Sequence, residues 1–162
     1  MIANHDEIME RIKYWVVGGG GRQSLSAEDI TRFEETIGFA LPGDYRAFVT
    51  KYGGTAGGGH TCYSTDDDPD EADASVEVFY DLNPNGMYDL AGIRESFGDD
   101  VPRHLLPIAS SPGGQIILSL SGEDRGQVYW WSPHRGSSEF YDDLIPISRT
   151  FDGFLCSLSL RE

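Results

Sequence analysis

The run from Ile30 to Gly54, ITRFEETIGFALPGDYRAFVTKYGG, leaves the backbone few choices, because it writes two short helices and the joint between them. Ile30, Phe33 and Ile37 recur at helical spacing, and Gly38 follows where a left-handed stop disfavours a β-carbon. Leu41-Pro42 restarts the chain, since proline is tolerated in a first turn, where its missing amide hydrogen would have no helical partner. Leu41, Tyr45, Phe48, Val49 and Tyr52 then place one apolar stripe on the second helix, which Gly53-Gly54 ends.

The same reading extends in both directions. Asp6 to Val17 puts Ile8, Met9, Ile12, Trp15 and Val16 on one helical face, and Gly18 to Gly21 breaks it. Ser26 with Asp29 three residues on resembles a capping box for the helix that carries Ile30. Ser75 to Tyr80 alternates Val76, Val78 and Tyr80 against Glu77 and Phe79, which is strand spacing, and Asn83-Pro84-Asn85-Gly86 is a turn. Tyr88 to Phe97 predicts a short helix through Leu90, Ile93 and Phe97, stopped by Gly98. Leu105 to Ala109, Gln115 to Ser121 and Gln127 to Ser132 predict strands, and the glycine-rich turns between them indicate antiparallel hairpins. Leu144 to Ile147 adds a strand, and a last helix of about Arg149 to Leu160 buries Phe151, Phe154, Leu155 and Leu158. Helices first, consecutive strands in the middle and a helix last favour α+β over an alternating doubly wound sheet. A chain of 162 residues with no repeat or separating linker reads as one domain, residues 1–162.

Charge is unevenly spread. The chain carries 12 basic and 27 acidic residues, a net −15. Between Thr61 and Asp100 lie twelve acidic residues and one base, Arg94, so this window holds −11 and the rest of the chain only −4. A field of one sign on one region speeds encounter with a basic partner and argues against binding nucleic acid or an anionic membrane. The competing reading is a solvated acidic loop that aids solubility. No apolar stretch approaches the ~20 residues that span a bilayer, and the N-terminus is acidic where a signal peptide is basic, so a cytoplasmic location is expected. Cys62 and Cys156 are too few and too far apart for a disulfide framework.

Catalytic patterns are weak. Gly18 to Gly21 follows a helix rather than a strand and lacks the Lys-Ser/Thr of a phosphate-binding loop. His60 and Cys62 have no second pair at zinc spacing, and His104 and His134 are isolated. Asp66, Asp67, Asp68 and Asp70 lack the turn glycine and spaced bidentate Glu of an EF-hand. Glu34 and Glu35 are adjacent on a helix and point apart, and Ser24, Ser26, Ser110 and Ser111 lie in turns without a nucleophile elbow. Neither a metal, nor a cofactor, nor a catalytic residue is expected.

The aromatic cluster Tyr129-Trp130-Trp131 is the remaining candidate. In a strand, Val128 and Trp130 share one face while Tyr129 and Trp131 share the other, so the two tryptophans serve different layers. Either both faces are covered, or one tryptophan is an interface anchor, where Trp is enriched among hot spots. Tyr80, Tyr88 and Tyr141 are candidates to join it.

The acidic amphipathic helix, Ile37-Gly38, Leu41-Pro42, Asp44-Tyr45-x-x-Phe48 and Gly53-Gly54 together resemble the SUKH superfamily, whose bacterial members are mostly immunity proteins against polymorphic toxins. Trp15, Leu106-Pro107-Ile108-Ala109, Gly114 to Leu118, Gly126 to Trp131 and Thr150 to Leu155 follow in the family's order across nearly the whole chain. The resemblance implies a mixed, mainly antiparallel sheet flanked by helices and a protein that neutralises a cognate toxin domain, often a nuclease, by occluding its basic surface. On that reading the candidate partner-binding residues are Asp66, Asp67, Asp68, Asp70, Glu71 and Asp73, with Tyr80 and Trp131. The Gly57 to Asp73 segment is an insertion-like loop relative to the family. Two other readings stay open: a scaffold or regulatory adaptor for a cellular protein, and a small hydrolase.

Overall fold

Ser26 opens the first long helix as its spacing predicts. In a computed structural model, which describes residues 5–11, 14–16, 26–52, 55–57, 61–62, 76–80, 82, 89–111, 114–131 and 144–160, helix α2 spans Ala27–Ile37. The Ser26 hydroxyl accepts the Asp29 N–H at 3.1 Å, and the Asp29 carboxylate accepts the Ser26 N–H at 3.1 Å. These bonds, the backbone one foremost, hold the Asp29 carboxyl below its usual range. Two of the helix's orphan donors are thus satisfied, so Ser26→Ala is expected to cost about 1 kcal/mol in a denaturant melt. Gly38 ends α2 with φ +82°, in the left-handed region.

Helix α3 covers Gly43–Tyr52. The joint between α2 and α3 is held by one carboxylate: Glu34 accepts the Leu41 N–H at 2.6 Å and the Arg46 Nε–H at 3.3 Å. The start of α3 is tied to the ends of the chain. Helix α1, His5–Arg11, and helix α5, Phe151–Ser157, meet where His5 Nε2 lies 2.7 Å from Asp152 Oδ1. The Asp152 N–H in turn donates to Asp44 at 3.1 Å.

Nine strands are seen among the described residues: β1 (Tyr14–Val16), β2 (Thr55–Gly57), β3 (Thr61–Cys62), β4 (Val78–Phe79), β5 (Leu105–Ser111), β6 (Gly114–Ser119), β7 (Val128–Trp131), β8 (Ile145–Ser148) and β9 (Ser159–Leu160). Seven form a sheet in the order β1-β2-β4-β5-β6-β7-β8, and every pairing in it is antiparallel. Strands β3 and β9 make a separate antiparallel pair. Helix α4, Leu90–Phe97, and a 3-10 turn over Gly98–Asp100 lead into β5. The architecture is α+β, as the order of elements implies.

Three expectations are corrected. Trp15 lies in edge strand β1 rather than in the first helix, which ends at Arg11. Tyr14-Trp15-Val16 is aromatic and β-branched, a composition that suits a pleated surface, and it pairs with Thr55 to Gly57. The last helix stops at Ser157, after which Ser159 and Leu160 pair with Cys62 and Thr61. The Gly57 to Asp73 segment is therefore not loop throughout, since β3 lies inside it. The expected elements at Gly18 to Gly21, Gly53-Gly54 and Asn83 to Gly86 fall outside the described residues.

The main core fills the space between the helices and one face of the sheet. Ile8 of α1, Ile30, Phe33 and Ile37 of α2, Tyr45, Phe48 and Val49 of α3 and Phe151, Phe154 and Leu155 of α5 meet Leu106, Ile116, Leu118 and Val128 there. Two irregularities bring extra side chains into it. In β5, Pro107 faces Ile117 and Ala109 faces Ile116, so Ile108 is the inserted residue and both Ile108 and Ala109 reach the core. In β8 the register shifts around Ile147 with the same result.

Candidate partner-binding surface

The aromatic candidates divide between the two faces of the sheet: Tyr80 and Trp130 join the main core, and Trp131 and Tyr129 lie on the opposite face. Val101, Leu105, Ile117 and Trp131 form a second, smaller buried cluster, with Phe97, Tyr129 and Leu144 packed at its rim. The Phe97 ring meets Trp131 edge to face, with centroids 5.7 Å apart. Helix α4 and the segment after it thus cover part of this face, which period-2 alternation alone does not reveal.

Neither aromatic candidate is an exposed anchor. Tyr80 and Trp131 are each only 5% exposed. Tyr80 donates its hydroxyl to Gln115 Oε1 at 2.5 Å, and Trp131 lies under Phe97. The half-exposed members of the cluster are Tyr129 and Trp130. Trp130 packs against the main core and donates its indole N–H to Ser111 Oγ at 3.2 Å, which accounts for buried Ser111. Gly114 makes room for this ring, since a β-carbon there would lie 2.4 Å from the Trp131 carbonyl oxygen and 3.0 Å from Trp130.

The turn between β6 and β7 reads in sequence only as glycine punctuation, yet it contains a polar knot. Asp124 accepts the Ser119 hydroxyl at 2.9 Å and the Tyr129 hydroxyl at 2.7 Å, tying the turn to both strands. Arg125 reaches from the same turn to the Ala40 carbonyl at 3.1 Å, which docks it on the α2–α3 joint. Burial, followed by the Asp124 carboxylate, pushes the Tyr129 phenol well above its usual value. Tyr80 is pushed up to about 12, chiefly by burial. A raised folded-state value means that both phenols stabilise the fold fully below pH ~10, the unfolded value, and that this contribution is lost as pH rises beyond it. An absorbance titration is expected to show both phenols ionising late and together with unfolding; normal titration of all eight tyrosines in a folded chain would contradict these contacts.

The acidic candidates Asp66, Asp67, Asp68, Asp70, Glu71 and Asp73 lie outside the described residues, as do His60, His134, Tyr88 and Tyr141. Within the same acidic window Glu77, Glu95 and Asp100 are exposed. Asp89 is committed to α4, accepting the N–H groups of Ala91 and Gly92 at 3.2 Å each. Among the described residues no group of three or more His, Cys, Asp or Glu side chains is placed to hold a metal ion. Glu34 and Ser26, weighed as chemical groups, have structural partners at the α2–α3 joint and the α2 cap. No helix among the described residues is long and apolar enough to cross a membrane.

A protein of Bacillus subtilis (strain 168) described as an SPbeta prophage-derived uncharacterized protein is 29% identical to this chain, over 94% of the chain and 84% of that protein. The sequence profile of the SMI1 / KNR4 family (SUKH-1) matches residues 24–157. That span runs from the α2 capping box through six of the seven strands of the main sheet to the end of α5. With the profile matched from the first long helix to the last, the chain belongs to the SMI1 / KNR4 family (SUKH-1).

Proposed function

We propose that this chain is an immunity protein that binds a cognate bacterial toxin domain and neutralises it by covering a basic surface, without catalysis of its own. The observation that carries the reading is the charge asymmetry, twelve acidic residues against one base between Thr61 and Asp100. Family membership supports it, as does the similarity to a prophage-derived protein. A nuclease that holds phosphate presents positive charge, and acidic groups on a partner compete for that charge directly. Asp66, Asp67, Asp68, Asp70, Glu71 and Asp73 are the residues proposed to make the contact, with exposed Glu77, Glu95 and Asp100 extending the same field. The buried Tyr80 and Trp131 are left out of the proposed contact, since each is packed inside a core cluster.

Binding occurs in the cytoplasm on this reading, where a toxin that escapes secretion would act on its own producer. Calorimetric titration against a basic bacterial toxin domain, the cognate partner this reading requires, tests it. A saturable complex whose affinity falls as salt rises is expected. Capture of a cellular protein, with no binding to such a toxin domain, would instead favour the adaptor reading.

A further inference from the structure

Against the acidic background, one place on the described surface is built the other way. Arg94 in α4 is nearly buried, with its side chain 11% exposed, and its Nε has no hydrogen-bond partner. Its remaining polar contacts among the described residues are long: 3.5 Å from Nη2 to the Arg103 carbonyl and 3.7 Å from Nη1 to Glu95 Oε1. Charge-assisted guanidinium–carboxylate bonds ordinarily close to about 2.7–2.9 Å. Arg103, half exposed, approaches the same Glu95 oxygen at 3.3 Å. Two guanidiniums therefore converge on one carboxylate that binds neither well and is itself 68% exposed. They flank a shallow crease between α4 and β5, whose other walls include Gly98, Pro102, Leu105 and Pro107.

The geometry points to a carboxylate-accepting site formed by Arg94 and Arg103, in which Glu95 is a loosely held stand-in for a carboxylate presented by the protein partner. For the identity of that partner the inference rests on the toxin-binding reading. A buried guanidinium with unfilled donors is stabilised by any planar oxyanion that reaches two of its N–H groups. Burial and the neighbouring Arg103 both press the Arg94 cation toward deprotonation, which adds to the benefit of a second anion. The net charge of −15 disfavours multiply charged anions and leaves a single carboxylate on an otherwise basic surface as the best-tolerated ligand. Such a contact would fix the orientation of a complex that the acidic segment only attracts, since charge at long range steers while a bidentate pair specifies geometry.

The test uses the free full-length protein and acetate, so it does not depend on any toxin. Arginine Nε–Hε signals are followed by NMR while acetate replaces chloride at constant ionic strength. The Arg94 and Arg103 signals and the Gly98 amide are expected to shift together and to saturate. Removing the stand-in with Glu95→Gln should tighten acetate binding roughly two- to fivefold, the range for losing one exposed ion pair. Arg103→Gln should weaken it by a similar factor, and Arg94→Gln should abolish it. Should Arg94→Gln fail to fold, the two exposed positions still decide. Shifts that never saturate, or that are unchanged in Glu95→Gln and Arg103→Gln, would overturn the site. So would phosphate binding more tightly than acetate at matched ionic strength, because the site would then be a general anion trap. A negative result here leaves toxin binding itself untouched, whereas a positive one stands even if no toxin domain binds.

Discussion

Phe48→Ala is expected to cost about 3–5 kcal/mol, the loss seen when a large core aromatic is removed and its cavity persists. Phe48 is 1% exposed and sits where the layers meet. Its ring contacts Phe79 of β4 and Phe151 of α5, each with centroids 4.9 Å apart, and His5 of α1 at 5.6 Å. Deleting it unpacks α3 from the sheet, from α5 and from the His5–Asp152 link together, so neighbours cannot easily collapse into the gap. Domains are stable by only about 5–15 kcal/mol, so a loss of this size removes a large share of the total. Urea melts of the variant and the parent measure it; a change under ~1 kcal/mol would mean that the α3 stripe is not core.

The second large effect is kinetic. Replacing Asp66, Asp67, Asp68, Asp70, Glu71 and Asp73 by Asn or Gln is expected to slow association with a basic toxin domain by about 10-fold or more at low salt. Dissociation should change less, because charges at a rim act mainly on encounter. Near 1 M salt the screening length falls to about 3 Å and the two proteins should associate at similar rates. Stopped-flow mixing at several ionic strengths reads both quantities. Equal association rates at low salt would reduce the acidic segment to a solvated surface.

Local signals were legible in the sequence wherever the deciding contacts are local. The α2 capping box, the left-handed Gly38 and the hairpins of β5, β6 and β7 all depend on residues a few positions apart. Elements decided by distant partners were not legible. Trp15 and Val16 have helical spacing with Ile8 and Ile12 but lie in a strand because Thr55 to Gly57 supplies an edge. Ser159 and Leu160 leave the final helix because Thr61 and Cys62 offer a ladder. Alternation along β7 correctly placed Trp130 and Trp131 on opposite faces, yet it carries no information on whether a face is covered. Phe97 and Val101, which cover Trp131, lie about thirty residues earlier in the chain. The pairing of Arg94 and Arg103 around Glu95 was hidden for the same reason, since only the fold shows that Arg94 is buried and incompletely bonded.

The most direct test titrates this protein into the purified toxin domain that the proposed function assigns to it while the toxin's activity is followed. Stoichiometric inhibition is expected: activity falls linearly to zero at one chain per toxin molecule, returns when the complex is separated in high salt, and is mirrored by restored growth of cells that express both. Full toxin activity at saturating protein would contradict the proposed function. Loss of many toxin molecules per chain would contradict it differently, by showing that this protein turns over a substrate rather than covering a surface.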